Sequence, residues 1–249
     1  MTNGEEELRG KGAMAKKIGI LGGMGPEATM YMFGLIIKNT KVREDQDHIP
    51  IIIYSNPKVP HRTDAIFKKG PSPTPLLIEG VKILNQAGAN FIIIPCVTAH
   101  YFLPEVAKAV EFSYLSLLGE SLKWAQEHIP ALKKVGLISS TGTLESGLFH
   151  NTYKSAGIEV IGPEEEEQDT VMTAIYGPRG IKAGYTTGVS KEMIVNTAKI
   201  LAGRGAEAII AGCTEVPLVL KPEDIPVPLI EPMEIVAKAS ILKAGYALK

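Results

Sequence analysis

Cys96 and Cys213 are the only cysteines in a chain of 249 residues. They lie far apart, in no CxxC pair and with no Cys/His pair at zinc-ligand spacing. The sequence therefore indicates neither a disulfide framework nor a structural zinc site. What two such groups can do is acid–base chemistry from two sides. One thiolate removes a proton from a substrate carbon, and a thiol on the opposite face returns one. The outcome is inversion at that carbon. This suits an amino acid at its α carbon, provided fixed donors stabilise the charge that develops on the carboxylate. A free cysteine taken singly is more often a small core residue, so position has to decide between the two readings.

Each cysteine ends a buried strand pattern, NFIIIPC or EAIIAGC, at a point where a helix can begin. In open α/β sheets ligands bind outside the carboxyl ends of strands, where the next helix presents free amide N–H groups. Those amides favour a thiolate and are expected to lower its pKa. The two positions are also related by a repeat. Cys213 follows Cys96 by 117 residues (213 − 96), and the same interval separates Gly136 from Gly19 and Gly205 from Gly88. KKVGLI answers KKIGIL, and GAEAIIAGC answers GANFIIIPC. A duplicated fold with facing halves would place the thiols on opposite sides of one ligand.

The elements that must hold them follow from periodicity. KKIGIL, IPIIIYSN and NFIIIPC read as strands separated by helices reaching about Asn39 and Gln86. KKVGLISS, IEVIG and EAIIAGC repeat the order, with a helix through Lys154 and helices across about 165–203. YLSL near 114 and VPLIEP near 227 are further strand candidates, and a final helix spans Met233 to about Leu248. The fold class is α/β: two similar domains with mainly parallel sheets related by internal duplication, and the site in the cleft between them. The expected division is a flexible extension at 1–15, a first domain at 16–118 plus 228–249, and a second at 119–227.

Composition narrows the function classes. A net charge of −1 gives no basic field for nucleic acid. No apolar run approaches the roughly eighteen residues of a membrane span, and no signal-peptide core opens the chain. The chain reads as a cytoplasmic protein with a small-molecule ligand. GGMGP, with Met24, and its counterpart SSTGT can aim backbone N–H groups at an anion. Neither is a GxGxxG or P-loop motif, so no nucleotide cofactor is indicated. Thr98, Thr141, Thr143 and Thr214 lie at the same strand-to-helix turns and can bind a carboxylate or simply cap helices. Arg62 offers a bidentate donor and Lys182 a point charge. His100, four residues after Cys96, can tune the thiol or be structural. EEEEQD at 164–169 reads as a solvated helix start.

GILGGMGPEAT, PCVTAH, ISSTGTLESGLF, the IY…IKAG stretch, IIAGCTEV and PLIEPM resemble the aspartate/glutamate racemase family, and within it the aspartate racemase branch. The resemblance runs from about residue 16 to the C-terminus. It implies two α/β domains with the substrate cleft between them, assembly as a homodimer, and 1,1-proton transfer without pyridoxal phosphate or metal. It also implies Cys96 and Cys213 as the two bases and Thr98, Thr141, Thr143 and Thr214 as substrate-holding hydroxyls. Arg62 and Lys182 match positions used for a side-chain carboxylate. Two departures bear on the substrate. Val97 stands where the family usually has asparagine, and Glu215 stands where glutamate racemases carry histidine. Two other outcomes stay open on the same fold: decarboxylation or isomerisation of a small diacid, and carboxylate binding without turnover.

Overall fold

The computed structural model describes residues 16–249; the 1–15 extension expected from sequence lies outside the described residues. The first half runs β1 (Ile18–Gly22), α1 (Pro26–Asn39), β2 (Ile51–Ser55), α2 (Arg62–Ile66), α3 (Thr74–Gln86), β3 (Phe91–Ile93), α4 (Leu103–Ala109) and β4 (Tyr114–Leu115). After α5 (Leu117–His128), the second half runs β5 (Lys134–Ile138), α6 (Thr141–Glu145), α7 (Leu148–Lys154), β6 (Glu159–Ile161), α8 (Glu165–Tyr176), α9 (Val189–Gly203), β7 (Ala208–Ala211), β8 (Leu229–Ile230) and α10 (Pro232–Lys243).

Among the described residues the strands form two four-stranded sheets, ordered β2-β1-β3-β4 and β6-β5-β7-β8. Every pairing within them is parallel. β1 and β3 are buried throughout, as strands covered on both faces must be, which is why they read as unbroken apolar runs. The repeat holds at the level of register. Ile18 pairs with Phe91 and Gly19 with Ile92; their counterparts 117 positions on, Val135 with Ala208 and Gly136 with Ile209, pair in the same way.

Gly88 and Gly205 end α3 and α9 at φ +85° and +89°. This left-handed conformation is cheap only for glycine, and it returns the chain to the next strand. The amides of Ala89 and Ala206 then bond back to the carbonyls of Leu84 and Leu201. Equivalent chemistry at equivalent positions aims β3 and β7, and with them the cysteines, in the same way.

Two expected helices differ from those observed. The helix expected through Lys154 is divided into α6 and α7 by Gly147, whose φ of +67° no helix interior adopts. The final helix stops at Lys243 instead of about Leu248. Gly245, at φ +90°, turns the chain back onto the end of α1, where Leu248 bridges to Thr40 and the Lys249 amide bonds to the Asn39 carbonyl. EEEEQD does open a helix: Glu164 caps α8 and its amide bonds to Glu167 at 2.9 Å, so the negative charges meet the positive end of the helix dipole.

One hydrophobic cluster serves both halves. Ile18, Ile20 and Met32 share it with Val135, Leu137 and Ala208, and Met233, Val236 and Ile241 of α10 belong to it as well. α10 packs on α1 and α5, and Tyr31 of α1 donates a 2.7 Å hydrogen bond to Glu231 at its start. The strand ends are thus held against each other by a continuous core.

Candidate active site

The turn after β1 is shaped by Gly23, at φ +93°, where a Cβ would lie 2.4 Å from the Asn56 backbone. Its amide donates to Thr29 Oγ1 at 2.9 Å. Pro26 occupies the first turn of α1, where its fixed φ suits the helix and its missing N–H has no cost. The turn thereby lays Met24 and Gly25 against side chains of the second half. A Cβ at Gly25 would sit 3.4 Å from Glu215 Oε1 and 3.5 Å from Lys182 Nζ.

Cys96 follows β3 and is buried. Its carbonyl is 3.0 Å from His100 Nδ1, and the Leu117 amide donates to His100 Nε2 at 3.3 Å. Nε2 is therefore the acceptor and Nδ1 carries the hydrogen. Burial lowers this imidazole to a pKa of about 4, so it is neutral near pH 7. Of the two roles open from sequence, the structure places His100 in the structural one, holding the Cys96 backbone.

Cys213 follows β7, and its thiol donates to Glu215 Oε2 at 2.9 Å. Burial and then the Glu215 charge push this thiol well above its ordinary pKa, although Lys182 opposes them. The expectation that helix amides would lower the thiol pKa is corrected here. Cys213 is followed by a short 3-10 turn, Val216–Leu218, with little dipole to offer, while a carboxylate lies against the sulfur. Glu215 itself is buried, accepts from Thr214 Oγ1 at 3.3 Å, and is ion-paired with Lys182.

Both cysteines line one cavity, about 10 Å³, together with Met24, Val97, Thr98 and Thr214. Arg62, Lys182 and Glu215 line it too, and they also line a wider vestibule of about 390 Å³ bounded by the GGMGP turn. Arg62 spends three bonds on backbone: Nη1 donates to Val59 and Pro60 carbonyls at 3.3 and 3.1 Å, and Nη2 to the Met24 carbonyl at 2.8 Å. Burial works against its charge, but Cys96 and Tyr176 outweigh it and raise its pKa. Lys182 is likewise raised, burial being outweighed by Glu215 and Cys213.

Thr141 and Thr143 do not line the cavity. Thr143 Oγ1 lies 2.8 Å from Thr98 Oγ1, with Ser140 Oγ 3.3 Å from both, so a hydroxyl cluster joins the two halves beside Cys96. Thr141 accepts from Gln168 Nε2 at 3.1 Å. Tyr176 lines both cavities and was not singled out from sequence, although it opens the IY…IKAG stretch. Lys182 Nζ lies 5.4 Å from its ring centroid, and the His61 ring packs edge-on at 5.2 Å. Burial, followed by the charges of Cys213, Glu215 and Cys96, raises its phenol pKa, so it stays a hydrogen-bond donor. Among the described residues no cluster of three His, Cys, Asp or Glu side chains is placed to hold a metal ion.

The family model for Asp/Glu/Hydantoin racemase matches residues 21–240. The chain belongs to this family. As a racemase of the Asp/Glu family it is an isomerase. The chain is 27% identical over 235 residues to the broad specificity amino-acid racemase RacX of Bacillus subtilis, covering 90% of this chain and 96% of RacX. Picrophilus torridus aspartate racemase superposes with a TM-score of 0.83 at 28% identity, covering 94% of this chain and 96% of that one. An aspartate racemase homologue from Pyrococcus horikoshii superposes with a TM-score of 0.73 at 27% identity, covering 92% and 99%. Among the described residues no helix is long and apolar enough to cross a membrane.

Proposed function

We propose that the protein is an aspartate-type racemase working by two-base proton transfer between Cys96 and Cys213, without pyridoxal phosphate or metal. The observation that carries this reading is a single cavity bearing both thiols together with Arg62 and Lys182. One sulfur takes the α-proton and the other returns a proton to the opposite face. The developing negative charge on the α-carboxylate needs fixed donors, for which Thr98, Thr214 and the backbone around them are the available groups.

Arg62 supports a substrate carrying a second carboxylate. Its five donors less the three on carbonyls leave Nε–H and one Nη2 hydrogen, and Nε is buried with no protein partner. Two neighbouring donors of this kind form a fork for a carboxylate. Val97 acts the other way. It is buried in the core shared by both halves and presents no hydrogen bond where the family usually has asparagine. Together with the likeness to RacX, whose name records broad specificity, it favours a second reading in which neutral amino acids are also accepted.

Incubation of each L- and D-amino acid in D2O with no added cofactor decides between them. α-Deuteration is expected with both enantiomers of aspartate, and loss of racemisation by at least a thousandfold in Cys96→Ser and Cys213→Ser. No exchange with any acidic, amide or neutral amino acid would overturn the proposal. Val97→Asn should raise kcat/KM for the preferred substrate by about one to two decades, the value of a hydrogen bond to a charged group at about 1.5–3 kcal/mol. An unchanged or lowered value would mean that position 97 does not touch the substrate's charged groups.

A further inference from the structure

The cavity shared by the two thiols, about 10 Å³, has room for about one water molecule, and an amino acid cannot enter it without moving a side chain. The groups between it and the vestibule are Met24, Arg62, Lys182, Tyr176 and Glu215, which line both spaces. Of these, Arg62 is anchored by three backbone carbonyls. Lys182 and Glu215 hold each other instead, and the other oxygen of Glu215 accepts from Cys213. The arrangement is a chain: ammonium, carboxylate, thiol.

We propose that Glu215 is a positioning residue displaced by the substrate, whose distal carboxylate takes its place on Lys182 and so releases Glu215 to act as the proton acceptor for Cys213. The inference rests on the two-thiol racemase reading above and adds to it a reason for preferring a diacid. While Lys182 holds one oxygen of Glu215, the other only accepts the hydrogen bond from the Cys213 thiol. Once a substrate carboxylate satisfies the ammonium, Glu215 keeps only Thr214 and Cys213 as partners.

The Cys213 proton then passes to Glu215 Oε2, and the S–H electron pair stays on sulfur. That pair takes the α-proton and regenerates the Cys213 thiol. Cys96 gives its proton to the opposite face and is left as a thiolate. After product leaves, Cys96 regains a proton from solvent and Glu215 loses one to solvent, so nothing is consumed. Transfer in the other direction retraces these steps: the Cys96 thiolate takes the α-proton, Cys213 returns one to the opposite face, and Glu215 gives its proton back to Cys213.

Exchange from single enantiomers in D2O separates the two faces. In a Cys96→Ser background only the aspartate enantiomer whose α-proton faces Cys213 can exchange; in a Cys213→Ser background only the other can. Adding Glu215→Gln is expected to slow exchange at the Cys213 face at least thirtyfold more than at the Cys96 face. Equal losses at both faces, or none at either, overturn the proposal.

A second measurement supplies the distal carboxylate separately. With alanine as substrate, saturating formate should accelerate α-exchange of the wild-type enzyme at least fivefold and should not accelerate that of Lys182→Met. No acceleration in the wild type, or equal acceleration in the variant, overturns the displacement. If wild type exchanges neither enantiomer of aspartate, the racemase reading itself fails; exchange with aspartate but without the split between faces refutes this inference alone.

Discussion

His100, four residues after Cys96, was open to a functional reading, and its surroundings make it structural. The imidazole is buried with both nitrogens committed to backbone, and its pKa falls from 6.5 to about 4. Because the folded value is depressed, the unfolded chain binds the proton first as the solution is acidified. The stability contributed is complete above about pH 6.5 and is lost progressively down to about pH 4, by about 3 kcal/mol in total. The urea midpoint should therefore drop between pH 7.5 and 4.5, and His100→Gln should flatten that slope while lowering stability at pH 7.5. An unaltered slope in the variant would assign the acid sensitivity to other groups. At this scale the cysteines, Arg62, Val97 and Lys182 were legible because a residue type in a recognisable segment announces them. The bond from Lys182 to Glu215 was not, since 33 residues separate them and only the folded chain brings charge to charge. Tyr176 escaped for a related reason: a tyrosine near the end of an amphipathic helix looks like core until a neighbouring cation is seen above its ring.

Strands and most long helices were legible from period; α5 was not among the expected helices, and two other departures are breaks made by single glycines. Gly147 and Gly245 interrupt apolar patterns that continue through them, so periodicity carries on where the backbone does not. A third glycine, Gly142, has a role that only packing discloses. It lies in α6 where that helix meets α2, and a Cβ there would come within 2.5 Å of Thr63 Oγ1 and 3.0 Å of Thr63 Cα. The backbone contact leaves no rotamer that relieves the overlap. Gly142→Ala should lower stability by about 1–3 kcal/mol, read as a fall in the thermal midpoint. Because α6 also carries Thr143 against Thr98, kcat/KM should fall at least tenfold at temperatures where the variant remains folded. Gly147→Ala, which strains a turn away from that contact, should cost stability without the same loss of activity. If both variants lose activity in proportion to stability, the α2–α6 contact has no special bearing on the site.

For the whole molecule the duplication was readable because one interval relates strand, helix end and cysteine, and the register of both sheets obeys it. The continuous core through both halves was not, because hydrophobic residues do not declare which sheet they will meet. The same uncertainty applies to apolar residues that the described part of the chain leaves partly exposed. On α1, Met30, Phe33 and Ile37 are 66, 36 and 40% exposed, and their i, i+3, i+7 spacing sets them along one side of the helix. Their neighbours on the opposite side, Ala28, Met32, Leu35 and Ile36, are buried in the core. An apolar stripe of this kind has no use in water and is a fitting face for the homodimer that the resemblance implies. Met30→Asp combined with Phe33→Asp should move the protein in size-exclusion chromatography with light scattering from a dimer to the 26.8 kDa of a single chain. Because these side chains point away from the core, the thermal midpoint of the separated chain should change only by the stabilisation that association supplied, and should therefore no longer depend on protein concentration. A wild-type protein already at the mass of one chain, or a double variant that remains a dimer, would remove α1 as the pairing face.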